Sequence, residues 1–201
     1  MNIKEYIFHY KYRRQQKQQP RTPIYHSYRT ARRILLLFES DLLERNVQIK
    51  ALIKQLQQDG KEVTAWGFVS GKKMAQSATL RDYRVLAQQD FTRWGWPQEQ
   101  QIRDLQLESY DLLIDLNVSQ LLPLRYLVFY ARADFRCGML TPKPCLADMQ
   151  IDLTHVQAPE AAPERAENKT AAEVVDSAVN PAYLFDQILH YLQTIEENNS
   201  I

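Results

Sequence analysis

Carboxylates recur at the ends of apolar runs in this chain. ILLLF (34–38) leads into Glu39 and Asp41, YRVLAQQ (83–89) into Asp90, DLLIDL (111–116) contains Asp115, and ADMQIDL (147–153) carries Asp152. Short apolar runs bounded by turn residues read as strands buried on both faces. In a parallel sheet the carboxyl ends share one edge, where ligands gather at a topological switch point. Placed there, Asp41 and Asp115 could act as a general base or hold a divalent cation. The same residues also have a structural reading. Asp41 would be the N-cap of a helix, and Asp115 or Asn117 would cap the backbone leaving its strand.

A second constellation lies near the N-terminus, in HYKYRRQQKQQPR (9–21). It interleaves tyrosines with Lys11, Arg13, Arg14, Lys17 and Arg21, the candidate anion-binding residues. Cations neutralise phosphates and aromatic rings stack on unpaired bases, so RNA is a chemically reasonable partner. A basic amphipathic helix could also rest on an anionic membrane surface, although this one is short and rich in tyrosine. Ile3, Tyr6, Ile7 and Tyr10 fall at i, i+3, i+4 and i+7 and form one helical stripe. That stripe is expected to dock on the rest of the protein, and the basic face is left open between solvent and a partner.

Several familiar chemistries have no signature here. The five glycines (60, 67, 71, 95, 138) form neither a dinucleotide-binding turn nor a phosphate-binding loop. No nucleophile elbow and no paired-histidine zinc motif occurs. Cys137 and Cys145 are the only cysteines, too few for a disulfide framework and wrongly spaced for zinc. The four histidines (9, 26, 155, 190) read as surface or packing residues, so neither a metal nor a cofactor is expected.

The elements that must position these groups alternate. A helix over 2–18 stops before Pro20, which also restricts the residue preceding it. A strand at 33–38 is followed by a helix with the stripe Ile49, Leu52, Ile53, Leu56, ended by Gly60, and by a strand at 62–70. A possible strand over 83–91, a helix over 96–109, the strand YDLLIDLN (110–117) and a helix over 121–133 continue the pattern. That helix is expected to place Leu121, Leu124, Leu127, Val128 and Ala131 on one face. Short strands at 135–140 and 147–153 precede a last helix entered at Asn180 and Pro181, with Leu184, Ile188, Tyr191, Leu192 and Ile195 facing the core. This predicts an α/β fold: a Rossmann-like, open, mostly parallel sheet of about five to six strands with helices on both faces. The expected organisation is an N-terminal helix and arm (1–30), the α/β core (31–154), a flexible acidic insert (155–180) and a C-terminal helix (181–197) packed on the core.

The 45% hydrophobic and 24% charged content suits a single globular domain, and no apolar run is long enough to span a bilayer. With no signal-peptide pattern, the expected compartment is the cytoplasm. A net charge of +1 conceals a gradient: residues 1–33 hold nine Lys/Arg and one acid, residues 155–201 two Lys/Arg and eight acids. The gradient fits an anionic partner for the arm, and equally an attraction between the two ends.

GKEVTAWGFVSGKK (60–73), YDLLIDLN with PLRYLVFYARADFRCGM (110–139), and YLFDQILHYLQTI (183–195) together resemble a family of small bacterial proteins known only as a domain of unknown function. The resemblance spans most of 30–197 outside the insert and implies the fold without an activity. ILLLFESDLL (34–43), DLLIDL (111–116) and FRCG (135–138) are distantly similar to the N-terminal half of heptosyltransferase-like GT-B glycosyltransferases. That similarity implies a half-site in which Asp41 falls near the position of the catalytic base.

The leading expectation is a non-enzymatic binding or interaction module whose basic arm meets an anionic partner, RNA or a ribonucleoprotein; a protein partner in a complex is a further possibility. The alternative is a small-molecule enzyme, or a degenerate glycosyltransferase-like half-domain, using carboxylates at the sheet edge.

Overall fold

The computed structural model describes residues 3–40, 44–70, 78–79, 82–141, 144–153 and 180–198. Asp41, with the helix N-cap expected there, and nearly all of the expected insert, including His155, lie outside these residues.

The order is α1 (Ile3–Gln18), β1 (Arg33–Ser40), α2 (Glu44–Gln58), β2 (Glu62–Val69), β3 (Ala78–Thr79), β4 (Arg84–Leu86), α3 (Glu99–Gln106), β5 (Tyr110–Leu116), α4 (Leu122–Tyr130), β6 (Ala133–Met139), β7 (Met149–Ile151) and α5 (Pro181–Asn198). The strands form one sheet in the order β3-β4-β2-β1-β5-β6-β7. Six of them run parallel, and the two-residue β3 pairs antiparallel with β4 at the edge. β1 is central, with Leu36 paired to Ala65 of β2 on one side and to Ile114 of β5 on the other. The chain winds outward in both directions from β1, so the switch point lies between β1 and β5. The Rossmann-like α/β architecture read from the sequence is the one observed.

The doubly apolar strands explain this layering. Side chains alternate across a strand. Ile34, Leu36 and Phe38 of β1, with Leu112, Ile114 and Leu116 of β5, pack against α2 and α5. Leu35, Leu37 and Leu113 pack on the opposite face with Leu124 and Leu127 of α4. The α2 stripe Ile49, Leu52, Ile53 and Leu56 is buried as its spacing requires, and Gly60 ends the helix in the left-handed region at φ 76°.

Three expectations about helix faces are corrected. α4 buries its whole circumference, from Leu124 through Arg125, Tyr126, Leu127 and Val128 to Phe129, because α1 covers the side turned away from the sheet. On α1 the docking residue is Phe8, fully buried, whereas Ile3, Tyr6 and Tyr10 are 65%, 57% and 59% exposed. Phe8 meets Tyr126 edge-on with ring centroids 4.8 Å apart, Arg125 lies 4.6 Å from the Phe8 ring, and the Tyr12 hydroxyl donates to the Cys145 carbonyl at 3.0 Å. The partner surface is aromatic and cationic, so one phenyl ring and one amphipathic tyrosine match it better than the richer aliphatic stripe does. On α5, Leu184, Ile188 and Leu192 face the core together with Phe185 and Leu189, but Tyr191 and Ile195 are exposed. These two side chains border a groove beside the edge strand β7.

F8A is expected to cost about 3–5 kcal/mol of stability in urea denaturation, the range for emptying a buried phenylalanine site. Y10A, an exposed aromatic two residues on, is expected to cost less than about 0.5 kcal/mol.

Candidate functional site

The switch point brings Glu39 and Asp115 to the same face of adjacent strands, since Leu37 pairs with Asp115 in the register of β1 and β5. The loop leaving β5 closes over them. The Ser119 amide donates to Glu39 Oε1 at 2.6 Å and the Ser119 hydroxyl to Oε2 at 2.7 Å. Asp115 Oδ1 accepts from the Asn117 amide at 3.1 Å. Asn117, 1% exposed, accepts the Leu121 amide at 2.7 Å and returns its Nδ2 to the Leu121 carbonyl at 3.0 Å. Gln120 takes a positive φ of 54° and donates to the Asn117 carbonyl at 2.8 Å. Asn117 thereby caps the turn into α4, and Asp115 caps the backbone leaving β5, in the manner their strand-end positions suggest.

Gly138 of β6 pairs with Asp115. A Cβ at that position would lie 3.3 Å from the Asp115 Cβ, so a larger residue would press on the carboxylate. The Asp115 side chain is half-buried at the end of β5. Burial pushes its pKa up to about 7, the Glu39 charge adds to this, and the Asn117 amide and Arg125 oppose it. Of the remaining strand-end acids, Asp90 is a turn group that accepts the Ala87 amide at 2.8 Å and Gln101 Nε2 at 3.1 Å. Asp152 stands on the groove between β7 and α5.

The basic candidates separate into two sets. Arg21 belongs to the fold: its guanidinium forms a 2.7 Å ion pair with Asp148 and donates to the carbonyls of Ala133 and Asp134, at 3.0 and 2.5 Å from Nη2. Lys11 is half-buried with Nζ 3.2 Å above the Trp96 ring, and desolvation lowers its pKa. Arg13, Arg14 and Lys17 are exposed, and among the described residues none of the three forms an ion pair. Spacings of three and four residues put them on the side of α1 that also carries Tyr6 and Tyr10. Lys11 and Arg14 border an open groove of about 430 Å³ with Gln15, Gln18, Gln19, Gln106, Phe129 and Tyr130. Gln106 and Tyr130 come from α3 and α4, and nothing local in the sequence links them to the arm.

Fold and surface together define an open doubly wound α/β protein with an added N-terminal helix that displays cations and tyrosines. The chain belongs to the Family of unknown function (DUF6913), whose model matches residues 4–164. The match takes in α1, which is therefore part of the family pattern, and ends before α5, where the YLFDQILHYLQTI resemblance was placed. No curated protein and no solved structure matches the chain. Among the described residues no helix is long and apolar enough to cross a membrane.

Asp115 gives the site a pH signature. Between pH 3.8 and about 7 the folded chain keeps a proton that the unfolded chain has lost, so stability falls as pH rises through that window. The loss amounts to at most about 4 kcal/mol. D115N keeps an acceptor for the Asn117 amide. Urea denaturation across a pH series is expected to show it more stable than wild type above neutrality, with the decline flattened.

Proposed function

We propose that the protein is a non-enzymatic binding module of the cytoplasm, with the α/β core (31–154) as scaffold and α1 as the contact arm for an anionic partner, RNA or a ribonucleoprotein. The observation that carries this reading is the exposed face of α1. Arg13, Arg14 and Lys17 have no ion-pair partner among the described residues and share that face with exposed Tyr6 and Tyr10. Solvated cations supply the sequence-independent attraction to phosphates, and tyrosine rings supply stacking for unpaired bases. The glutamine-lined groove beside them adds amide donors and acceptors next to the aromatic surface of Phe129 and Tyr130. Single-stranded RNA fits this mixture better than a duplex, whose bases are already stacked.

Replacing Arg13, Arg14 and Lys17 together by alanine is expected to weaken binding of a single-stranded RNA oligonucleotide more than tenfold. The slope of log affinity against log salt should become shallower by about 2, the value for three lost phosphate contacts. Fluorescence anisotropy over a salt series measures both, and unchanged affinity or an unchanged slope would remove the proposal.

A second reading, small-molecule binding or turnover at the sheet edge, is favoured by Asp115, whose pKa of about 7 suits a general base beside Glu39. Under it, ligand-observed NMR with sugar phosphates and nucleoside diphosphates should show contacts with the wild-type chain that D115N loses. Equal signals from both proteins would discard it.

A further inference from the structure

A different cluster stands at the opposite, amino edge of the sheet. Asp111 lies at the start of β5 and Asp134 at the start of β6, between the register pairs Tyr110–Ala133 and Leu112–Phe135. The two aspartates are therefore neighbours on adjacent parallel strands. His26, from the connector between α1 and β1, places its imidazole beside them, with Nε2 2.9 Å from Asp134 Oδ2. One ligand atom from each of the three residues lies within 4.8 Å of the other two.

The cluster is held from outside. The Ile24 amide bonds to the Asp134 carbonyl at 3.1 Å, Arg21 grips the Ala133 and Asp134 carbonyls, and Tyr25 packs edge-on against Phe135 at 5.2 Å. These contacts fix the backbone that carries His26. Asp111 Oδ2 accepts the amides of Arg32 at 2.6 Å and Arg33 at 3.0 Å, which anchors that carboxylate at the entry to β1. His26 meets Asp134 directly, and Asp111, anchored through Oδ2 by the two amides, stands as the third member of the group. Arg33 offsets part of the Asp111 charge, yet two carboxylates remain side by side with one imidazole.

We propose that His26, Asp111 and Asp134 bind one first-row divalent transition-metal cation, of which Zn²⁺ is the best match. One imidazole with two carboxylates is a borderline donor set that suits zinc better than the all-oxygen preference of Mg²⁺ or Ca²⁺. Zinc takes nitrogen and oxygen ligands at about 2.0–2.2 Å, so tetrahedral ligand atoms stand roughly 3.4 Å apart. The 2.9 Å contact and the 4.8 Å limit bracket that spacing, and small side-chain rotations close it. His26 and Asp134 keep 25% and 44% of their side-chain surface exposed, which leaves room for water in the fourth position. The bound ion would join the connector behind α1 to the starts of β5 and β6. This revises the sequence expectation that His26 has only a surface or packing role, and it is independent of the proposed RNA contact.

The test is isothermal titration of the full-length, EDTA-stripped chain with ZnCl₂, with Co²⁺ absorption as a second readout. One equivalent is expected to bind with micromolar or tighter affinity and to give the visible bands of a low-coordinate Co²⁺ site. H26A and D134N should each weaken Zn²⁺ at least fivefold, while H190A, an exposed histidine on α5, leaves it unchanged. Circular dichroism verifies that the variants are folded, and D111N, which retains an acceptor for the Arg32 and Arg33 amides, serves if either is not. The proposal is overturned by the absence of stoichiometric binding, by a change of less than fivefold in the folded variants, or by Mg²⁺ binding as tightly as Zn²⁺.

Discussion

Helix α4 imposes the constraint on which the outer structure depends. Its sequence, LPLRYLVFY, is apolar nearly all the way round, and a helix of that kind must be covered on every side. The sheet covers one side through Leu35, Leu37 and Leu113. α3 and the segment before it cover a second side through Leu105 and Trp96, and α1 closes the rest with Phe8 and Tyr12. That demand settles the rotation of α1 about its own axis, and the rotation in turn decides which residues face outward. The display of Tyr6, Tyr10, Arg14 and Lys17 is a consequence of how α4 is buried.

Much of the architecture was legible because double-sided strands and a clean helical stripe are local signals. ILLLF and DLLIDL each carry alternate side chains to two different cores, a demand only a central strand meets. Ile49, Leu52, Ile53 and Leu56 sit at spacings that leave one solution for α2. The orientation of α1 was not legible in the same way, since counting apolar residues selects Ile3, Tyr6, Ile7 and Tyr10 and passes over a lone Phe8. What decides the docking face is an aromatic surface on α4 far along the chain, together with the Arg125 guanidinium over the phenylalanine ring. Tyr191 and Ile195 misled for a related reason: helical spacing places them near the core stripe, but they line the open groove beside β7, and among the described residues no strand lies beyond β7 to cover them.

The candidate sites divide similarly. The position of Asp115 at a strand end could be read directly, whereas the closure of the switch point by Ser119 on Glu39 joins residues 80 positions apart and has no local pattern. The trio at the amino edge is assembled from a connector and two strand starts, so no short spacing announces it. Arg21 illustrates how composition can mislead: inside a basic run it reads as one more surface cation, yet its partners are Asp148 and two carbonyls. In a doubly wound fold the carboxyl edge is the usual place for a ligand. Here its central carboxylates are engaged by the chain leaving β5, and the solvated cations stand on the outermost helix.

The position of α1 also bears on the order of events during synthesis. Roughly 120 residues separate Phe8 from Phe129, an interval that takes roughly 6–24 s to translate at typical rates. Until Tyr126 and Phe129 have been made, Phe8 has none of its α4 partners. Helix α1 is therefore complete long before the surface that covers it, and its docking waits on α4.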